Sequence, residues 1–198
     1  MNGRFSTIAA FSVLCALALV CPPRGFAQAH EHGAADPRRP LTPEQKRKSN
    51  ALVQVVREAT ERFRDVERAR AEQYELQYGC VSGPDAGAMG MHFVNLGLVL
   101  DGEIDATHPE IVIYEPLPGG RVRLIGADYL VLAEAWDKTH TSAPELMGQF
   151  FHHFDAPNRF GLPPFYTLHV WAWKDSPTGT FVNWNTNVSC DAYSGPTP

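Results

Sequence analysis

Cysteine is scarce in this sequence, which has four such residues among 198. Cys15 and Cys21 lie in the apolar N-terminal stretch, so only Cys80 and Cys190 belong to the rest of the chain. No two of them are spaced as C-x-x-C, the arrangement that is typical of a redox-active pair. The spacing therefore gives no indication of a thiol redox centre.

The sequence also lacks the short motifs that would identify a catalytic centre. It has no H-E-x-x-H, no G-x-S-x-G, no G-x-G-x-x-G, no G-x-x-x-x-G-K and no EF-hand loop. A catalytic assignment by motif is therefore excluded. Candidate functional residues have to be argued from side-chain chemistry and the predicted strands.

Long apolar runs are missing after the first 29 residues. The N-terminus carries a basic Arg4, an apolar stretch over residues 8–20 and an A-x-A sequence at residues 27–29. This order predicts a cleavable signal peptide over residues 1–29, and the apolar stretch is shorter than the roughly 20 residues that an anchored membrane helix needs. We therefore expect an exported protein, periplasmic or secreted, with no transmembrane segment in the mature chain.

Positive charge is limited as well. The chain has 17 Lys and Arg against 22 Asp and Glu, and removal of Arg4 and Arg24 with the signal peptide leaves 15 against 22, or −7. A surface with this balance makes nucleic acid an unfavourable partner. A small molecule or a metal ion is the expected ligand, and its identity does not follow from the sequence.

Two lone cysteines in an oxidising compartment most simply form one disulfide, here between Cys80 and Cys190. Two free thiols or two metal ligands are the alternatives. The predicted loop spans 110 residues, for which the chain-entropy model gives about 4.7 kcal/mol of stabilisation.

The remaining chain divides into a lead and one domain. Residues 30–41 are rich in Pro, Gly, Ala and charge, which predicts a flexible lead. The sequence from Thr42 to Gln45 forms a capping box with a proline at the first helical position, so a helix should begin there and run to about residue 71. Its apolar stripe recurs at helical spacing: Leu52, Val55, Val56, Ala59, Phe63 and Val66.

Short apolar runs punctuated by Gly and Pro follow residue 79. The predicted strands are residues 91–95, 111–115, 122–125 continuing through 129–132, 165–173 and 181–184. Residues 116–120 predict the turn of a hairpin, residues 144–151 a short helix and residues 157–164 a loop. The order indicates an α+β domain over residues 42–198, with a long N-terminal amphipathic helix packed on a mainly antiparallel sheet.

Several segments of the sequence resemble segments that recur in a known family of proteins. They are G-A-M-G-x-H at residues 87–92, P-E-x-x-x-Y-E-P at residues 109–116, G-A-D-Y at residues 126–129, and L-H-V-W-x-W-K at residues 168–174 with a terminal V-S-C. Over residues 63–193 the chain resembles a family of uncharacterised exported bacterial proteins. The resemblance implies export and no particular activity.

His92 and His169 are the most suggestive polar residues, because each lies in a predicted strand among apolar neighbours. A period of two places Thr167, His169, Trp171 and Trp173 on one face. An imidazole between two indoles is suited to the wall of a small-ligand pocket. The alternative is a core histidine bonded to a backbone carbonyl, with the tryptophans filling volume.

If His92 and His169 converge, Glu115 or Asp128 would complete a two-histidine, one-carboxylate set suited to Zn or Fe. Linear spacing does not establish this convergence, because ligands on separate strands have no diagnostic interval. The pair His152–His153 is less promising, since adjacent side chains diverge, and a solvated loop is expected there.

A separate metal site is predicted at the mature N-terminus. Cleavage after Ala29 would make His30, Glu31 and His32 the first three residues. A free amine, two backbone nitrogens and the third-position His32 can enclose Cu(II) or Ni(II) in a square plane, with His30 adding an imidazole. Cleavage after Ala27 would remove this arrangement.

Three functions remain open from the sequence. The first is an exported binding module that holds a metal, copper or zinc, or a small molecule on a face lined by His and Trp. The second is an enzyme that uses His92 or His169 as general acid or base with Glu115 or Asp128 as partner. The third is an envelope structural protein without a small-molecule site.

Overall fold

A computed structural model describes residues 41–196. This part of the chain folds into a curled antiparallel sheet with short helices and one disulfide, which confirms the predicted mixed α and β class and the antiparallel sheet. The predicted signal peptide, nearly all of the predicted lead, and His30 and His32 lie outside the described residues. None of the helices within residues 41–196 is long and apolar enough to cross a membrane.

The helices are α1 (Pro43–Thr60), α2 (Val66–Ala71), α3 (Leu96–Asp101) and α4 (Ala133–Asp137), with a 3₁₀ turn at Glu61–Arg64. The strands are β1 (Glu75–Gly83), β2 (Gly87–Val94), β3 (Ile111–Leu117), β4 (Arg121–Leu132), β5 (Glu145–Leu146), β6 (Gln149–Phe150), β7 (His152–Phe154) and β8 (Phe165–Val170). The main sheet has the order β1-β2-β3-β4-β8-β7 with antiparallel neighbours, and β5 and β6 form a separate small hairpin.

Helix α1 begins at the capping box that the sequence predicts. The Gln45 amide donates to Thr42 Oγ1 at 3.2 Å, and the Thr42 amide donates to Gln45 Oε1 at 2.9 Å. The helix ends at Thr60 rather than near residue 71, because the 3₁₀ turn follows and Asp65 is extended. The Asp65 carboxylate then caps the separate helix α2 by accepting from the Glu67 amide.

The two faces of the main sheet are covered differently. The helix face packs under α1, the 3₁₀ turn and α2, where Leu52, Val56 and Phe63 meet buried side chains of β2, β3, β4 and β8. The opposite face, called the pocket face below, carries Ile111, Ile113 and Leu130. The loop at residues 155–164 and the irregular C-terminal segment 171–196 contribute partly buried side chains to it. Alternation along the strands separates the two sets of side chains.

The disulfide between Cys80 and Cys190 is present, with a Cα–Cα distance of 5.7 Å. It joins β1 to the C-terminal segment. Backbone hydrogen bonds between Ala88 and Asn185, at 3.1 and 3.2 Å, fasten the same segment to β2. The segment is therefore held at two places although it has no helix or long strand of its own.

Three local predictions are wrong. Residues 144–151 form the β5–β6 hairpin rather than a helix, because Met147 and Gly148 both adopt positive φ and reverse the chain. Residues 181–184 contain no strand. The pair His152–His153 belongs to strand β7, at the edge of the sheet, rather than to a loop.

Candidate functional site

Three strands bring His92, Asp128 and His169 together on the pocket face. Asp128 on β4 lies directly opposite His169 on β8 in the antiparallel register. His92 on β2 is two strands away from Asp128, with β3 between them. The sheet is curled enough that one potential ligand atom from each residue lies within 4.8 Å of the other two. The predicted convergence of the two histidines with a carboxylate is therefore observed in the fold.

The cluster is almost completely shielded from solvent, with 5 % of His92, 2 % of Asp128 and 3 % of His169 exposed. His169 Nδ1 lies 3.4 Å from Asp128 Oδ1. The hydroxyl of Thr167 donates to the same oxygen, which orients the carboxylate. His92 Nδ1 lies 3.2 Å from the carbonyl oxygen of Gly90, so the tautomer that donates through Nδ1 leaves Nε2 of His92 free to bind a ligand.

His169 is buried without the hydrogen bonds that a core histidine makes. Neither Nδ1 nor Nε2 of its ring makes a hydrogen bond of good geometry within the described residues, although Nδ1 lies 3.4 Å from Asp128 Oδ1 and the side chain of Asn183 interacts with the ring. Leaving a buried donor or acceptor unsatisfied costs about 1–3 kcal/mol, and such groups are rare in native structures. The hydrogen-bonding capacity of the His169 ring is thus not fully used within the described residues.

The protonation states at neutral pH are those that metal binding requires. Burial lowers the pKa of His92 to about 4, with a further decrease from His169. Burial lowers the pKa of His169 to about 3. Burial raises the pKa of Asp128 to about 6, against the opposing effects of His92 and the Thr167 hydroxyl. At pH 7 the cluster therefore presents two neutral imidazoles and a carboxylate.

The cluster lines a small pocket of about 30 Å³. The other lining side chains are mainly apolar and come from β1 to β4, β7, β8 and the loop at residues 155–164: Tyr78, Met89, Ile111, Leu130, Phe154, Phe160, Leu162 and Phe165. Largely apolar walls with a few convergent polar groups are typical of small-ligand sites.

Glu115, the alternative carboxylate, does not belong to this site. It is buried on β3, accepts hydrogen bonds from Lys174 and Arg123, and accepts the Ser189 amide at 3.2 Å. Burial raises its pKa, but the hydrogen bonds from Lys174, Arg123 and Ser189 outweigh burial and hold the pKa below its ordinary value. Glu115 therefore anchors the C-terminal segment to the sheet.

The two tryptophans diverge, which corrects the predicted ligand face. The Ala172 amide donates to the Val170 carbonyl at 2.8 Å, a tight turn centred on Trp171 that breaks the period of two after β8. Trp171 stays on the pocket face, 5.8 Å from the His169 ring, but is buried in the core and donates to the Val182 carbonyl. Trp173 lies on the helix face and donates to Thr60 Oγ1 at 2.9 Å. Neither indole lines the pocket.

Three residues around the site were given no role by the sequence analysis, which set His152 aside and did not mention Asn183. Thr167 was placed on the correct face but given no role. His152 is exposed and is the register partner of Thr167, which puts it on the pocket face at the sheet edge. Asn183 lies in the irregular C-terminal segment, where no sequence pattern distinguishes it. In a strand, His152 and His153 point to opposite faces of the sheet, and this alternation could have indicated the face of His152.

Comparison with known proteins leaves the site to be interpreted from its own geometry. No family model matches the chain, and no curated protein or solved structure is detectably similar to it.

Proposed function

We propose that this protein is an exported binding module that holds one divalent transition-metal ion through His92, Asp128 and His169. The observation that carries the proposal is the buried meeting of these three side chains, in which neither ring nitrogen of His169 makes a hydrogen bond of good geometry. A metal ion would supply the missing partner for one imidazole nitrogen and would compensate the buried charge of Asp128.

Two nitrogen ligands and one carboxylate suit Zn²⁺ and Fe²⁺ better than Mg²⁺ or Ca²⁺, which prefer oxygen ligands alone. Three protein ligands also leave at least one coordination position open, because a closed structural zinc site uses four. The open position would face the pocket, since the cluster belongs to its lining. The pocket, at about 30 Å³, leaves room at this position for a ligand about the size of water.

Metal-free acid–base catalysis by the histidines is less well supported. An efficient general acid or base has a pKa near the working pH, whereas burial lowers the pKa of His92 to about 4 and that of His169 to about 3. Metal-assisted catalysis would use the same three residues. A purely structural protein would have no use for the unpartnered nitrogens, and failure to bind metal would favour it.

Export is supported by the disulfide between Cys80 and Cys190, because such bonds persist in oxidising compartments. Together with the predicted signal peptide, it supports a periplasmic or secreted location. The predicted copper site at His30 and His32 is independent of the pocket and has to be removed from any test of it.

The test is zinc binding to the purified, processed protein in which His30 and His32 are replaced by Ala. We expect one equivalent of zinc by elemental analysis and calorimetry. Asp128→Asn keeps the size of the side chain but removes its charge, and it should lower zinc affinity at least about tenfold. The matched control is His108→Ala, which changes an exposed histidine that pairs with Asp105. Absence of zinc binding, or equal loss in the control, would contradict the proposal.

A further inference from the structure

We infer that Asn183 is a positioning residue of the metal site: its side-chain oxygen accepts the ring proton of His169 and thereby fixes which imidazole nitrogen binds the ion. This role rests on the proposed function, because it adds an outer contact to the same metal site.

A histidine that binds a metal through one ring nitrogen carries its proton on the other. In metal sites that N–H almost always donates to a carboxylate, a carbonyl or water, and the contact sets the tautomer and the orientation of the ring. His92 has such a contact, because its Nδ1 lies 3.2 Å from the carbonyl oxygen of Gly90. Neither ring nitrogen of His169 has a backbone acceptor of this kind within the described residues. Its proton therefore needs a side-chain acceptor.

The distance between His169 and Asp128 indicates which nitrogen faces the ion. His169 Nδ1 lies 3.4 Å from Asp128 Oδ1. Two zinc ligands with bonds of about 2.0–2.1 Å at tetrahedral angles are about 3.3–3.4 Å apart, so these two atoms are spaced as neighbours on one ion. We therefore assign Nδ1 as the metal-binding nitrogen, and Nε2 carries the proton that has to be accepted elsewhere.

Asn183 offers the acceptor from outside the pocket. Its Oδ1 is buried and makes no hydrogen bond of good geometry within the described residues, and its side chain interacts with the His169 ring. Asn183 does not belong to the pocket lining, so it meets the ring without occupying the position of the ion. The Oδ1 atom and the Nε2 proton are thus a buried acceptor and a buried donor that can satisfy each other.

The backbone is held on both sides of Asn183. The Trp171 indole donates to the Val182 carbonyl at 2.7 Å, one residue before Asn183. Backbone hydrogen bonds at 3.1 and 3.2 Å join Asn185, two residues after it, to Ala88 of β2. A side chain on a fixed backbone is suited to orienting the ligand that it faces.

The experiment measures the zinc affinity of the processed protein with His30 and His32 replaced by Ala, by competition with a chromogenic chelator. Asn183→Leu keeps a side chain of similar size without an acceptor, and it should lower the zinc affinity about 10–100-fold. Asn183→Asp keeps an acceptor and should bind zinc at least as tightly as the protein with Asn183 intact.

Asn187→Leu is the matched control. Asn187 is exposed, lies in the same C-terminal segment and donates to the Asp175 carbonyl at 3.1 Å. The same substitution there also removes a hydrogen bond, but it should leave the zinc affinity unchanged. With a chelator present, Asn183→Leu should not lower the midpoint of thermal unfolding, because it removes a buried acceptor that has no good hydrogen bond in the metal-free protein.

NMR of the zinc-loaded protein with ¹⁵N-labelled histidine gives a readout that a purely structural role would not change. We expect zinc on Nδ1 of His169 and a downfield Nε2 proton, as for a hydrogen-bonded N–H. This proton should move upfield in Asn183→Leu and stay downfield in Asn183→Asp.

The possible failures are separable. An unchanged zinc affinity in Asn183→Leu, an equal loss in Asn183→Asp or Asn187→Leu, a lowered unfolding midpoint in Asn183→Leu, or zinc on Nε2 of His169 would overturn the role of Asn183 while leaving the metal site intact. A protein that binds no zinc would overturn the proposed function and this role with it.

Discussion

The two faces of the sheet differ in how their buried polar groups are hydrogen-bonded. On the helix face, each buried tyrosine hydroxyl donates to a backbone carbonyl: Tyr74 to Pro109, Tyr114 to Phe63 and Tyr129 to Ala106, at 2.6 to 2.8 Å. On the pocket face, both ring nitrogens of His169 and Oδ1 of Asn183 make no hydrogen bond of good geometry within the described residues. The polar groups of the helix face are satisfied by the protein itself, whereas we propose that a metal ion completes the pocket face.

Two of the buried carboxylates, Glu115 and Asp128, show the same difference at closer range. Glu115 has three donors from the protein, and two of them carry a full positive charge. Asp128 has the Thr167 hydroxyl and neutral histidines as neighbours. A carboxylate with charged partners is suited to holding segments together. A carboxylate that lacks a positively charged partner is suited to binding a cation from outside.

The largest effect is expected on the helix face. Phe63→Ala removes a buried ring that packs against Tyr74, with centroids 5.0 Å apart, and leaves a cavity beneath the 3₁₀ turn. We expect the free energy of unfolding to fall by about 3–5 kcal/mol, measured by urea denaturation. A decrease below about 1 kcal/mol would show that the helix face is not the tightly packed side of the sheet.

In the metal-free protein, substitution of the two carboxylates should have different effects on the free energy of unfolding. Glu115→Gln leaves the Lys174 and Arg123 charges without their partner and should lower the free energy of unfolding by about 1–3 kcal/mol. Asp128→Asn leaves no positive charge unpaired, so its effect should stay within about 1 kcal/mol. Urea denaturation in the presence of a chelator measures both. A larger loss of unfolding free energy for Asp128→Asn than for Glu115→Gln would contradict the proposed difference between the two carboxylates.

Glu110 provides an effect that depends on pH. It is buried and accepts the Leu130 amide at 3.0 Å, and burial raises its pKa from 4.5 to about 8. Because the folded protein retains this proton to higher pH than the unfolded chain, its contribution to stability decreases between about pH 4.5 and pH 8, by at most about 1.4 kcal/mol per pH unit.

Glu110→Gln keeps an acceptor for the Leu130 amide but has no proton to lose. We expect the difference in unfolding free energy between the variant and the native protein to increase in favour of the variant as pH rises from 5 to 8. Denaturation curves at intervals of one pH unit would measure it. A constant difference over this range would show that Glu110 does not bind a proton in the folded state.

Much of the fold could be predicted because the signals were local. The capping box at Thr42 and the hairpin around residues 118–120 are specified by adjacent residues. The disulfide followed from the small number of cysteines. The end of α1 was mispredicted because the apolar period continues through Phe63 and Val66, although Asp65 begins a new helix.

The site was predictable only in part, because its geometry depends on long-range register. Both Glu115 and Asp128 lie on strands next to each other, and no sequence pattern distinguishes them. In the fold, Ile111 is opposite Asp128, so Glu115, four residues farther along β3, lies about 13 Å along the strand from that position. The divergence of Trp173 likewise depends on one tight turn at Trp171, which the period of two does not reveal.

The central claim is that the pocket face is completed by a metal ion, and X-ray absorption spectroscopy of the zinc-loaded protein without His30 and His32 tests it most directly. The proposed site predicts two imidazole nitrogens at about 2.0–2.1 Å and carboxylate oxygen at about 2.0–2.2 Å from zinc. The imidazole signal should fall by half in His169→Ala and stay unchanged in His108→Ala. A zinc shell without imidazole, or one that His169→Ala leaves unaltered, would contradict the claim.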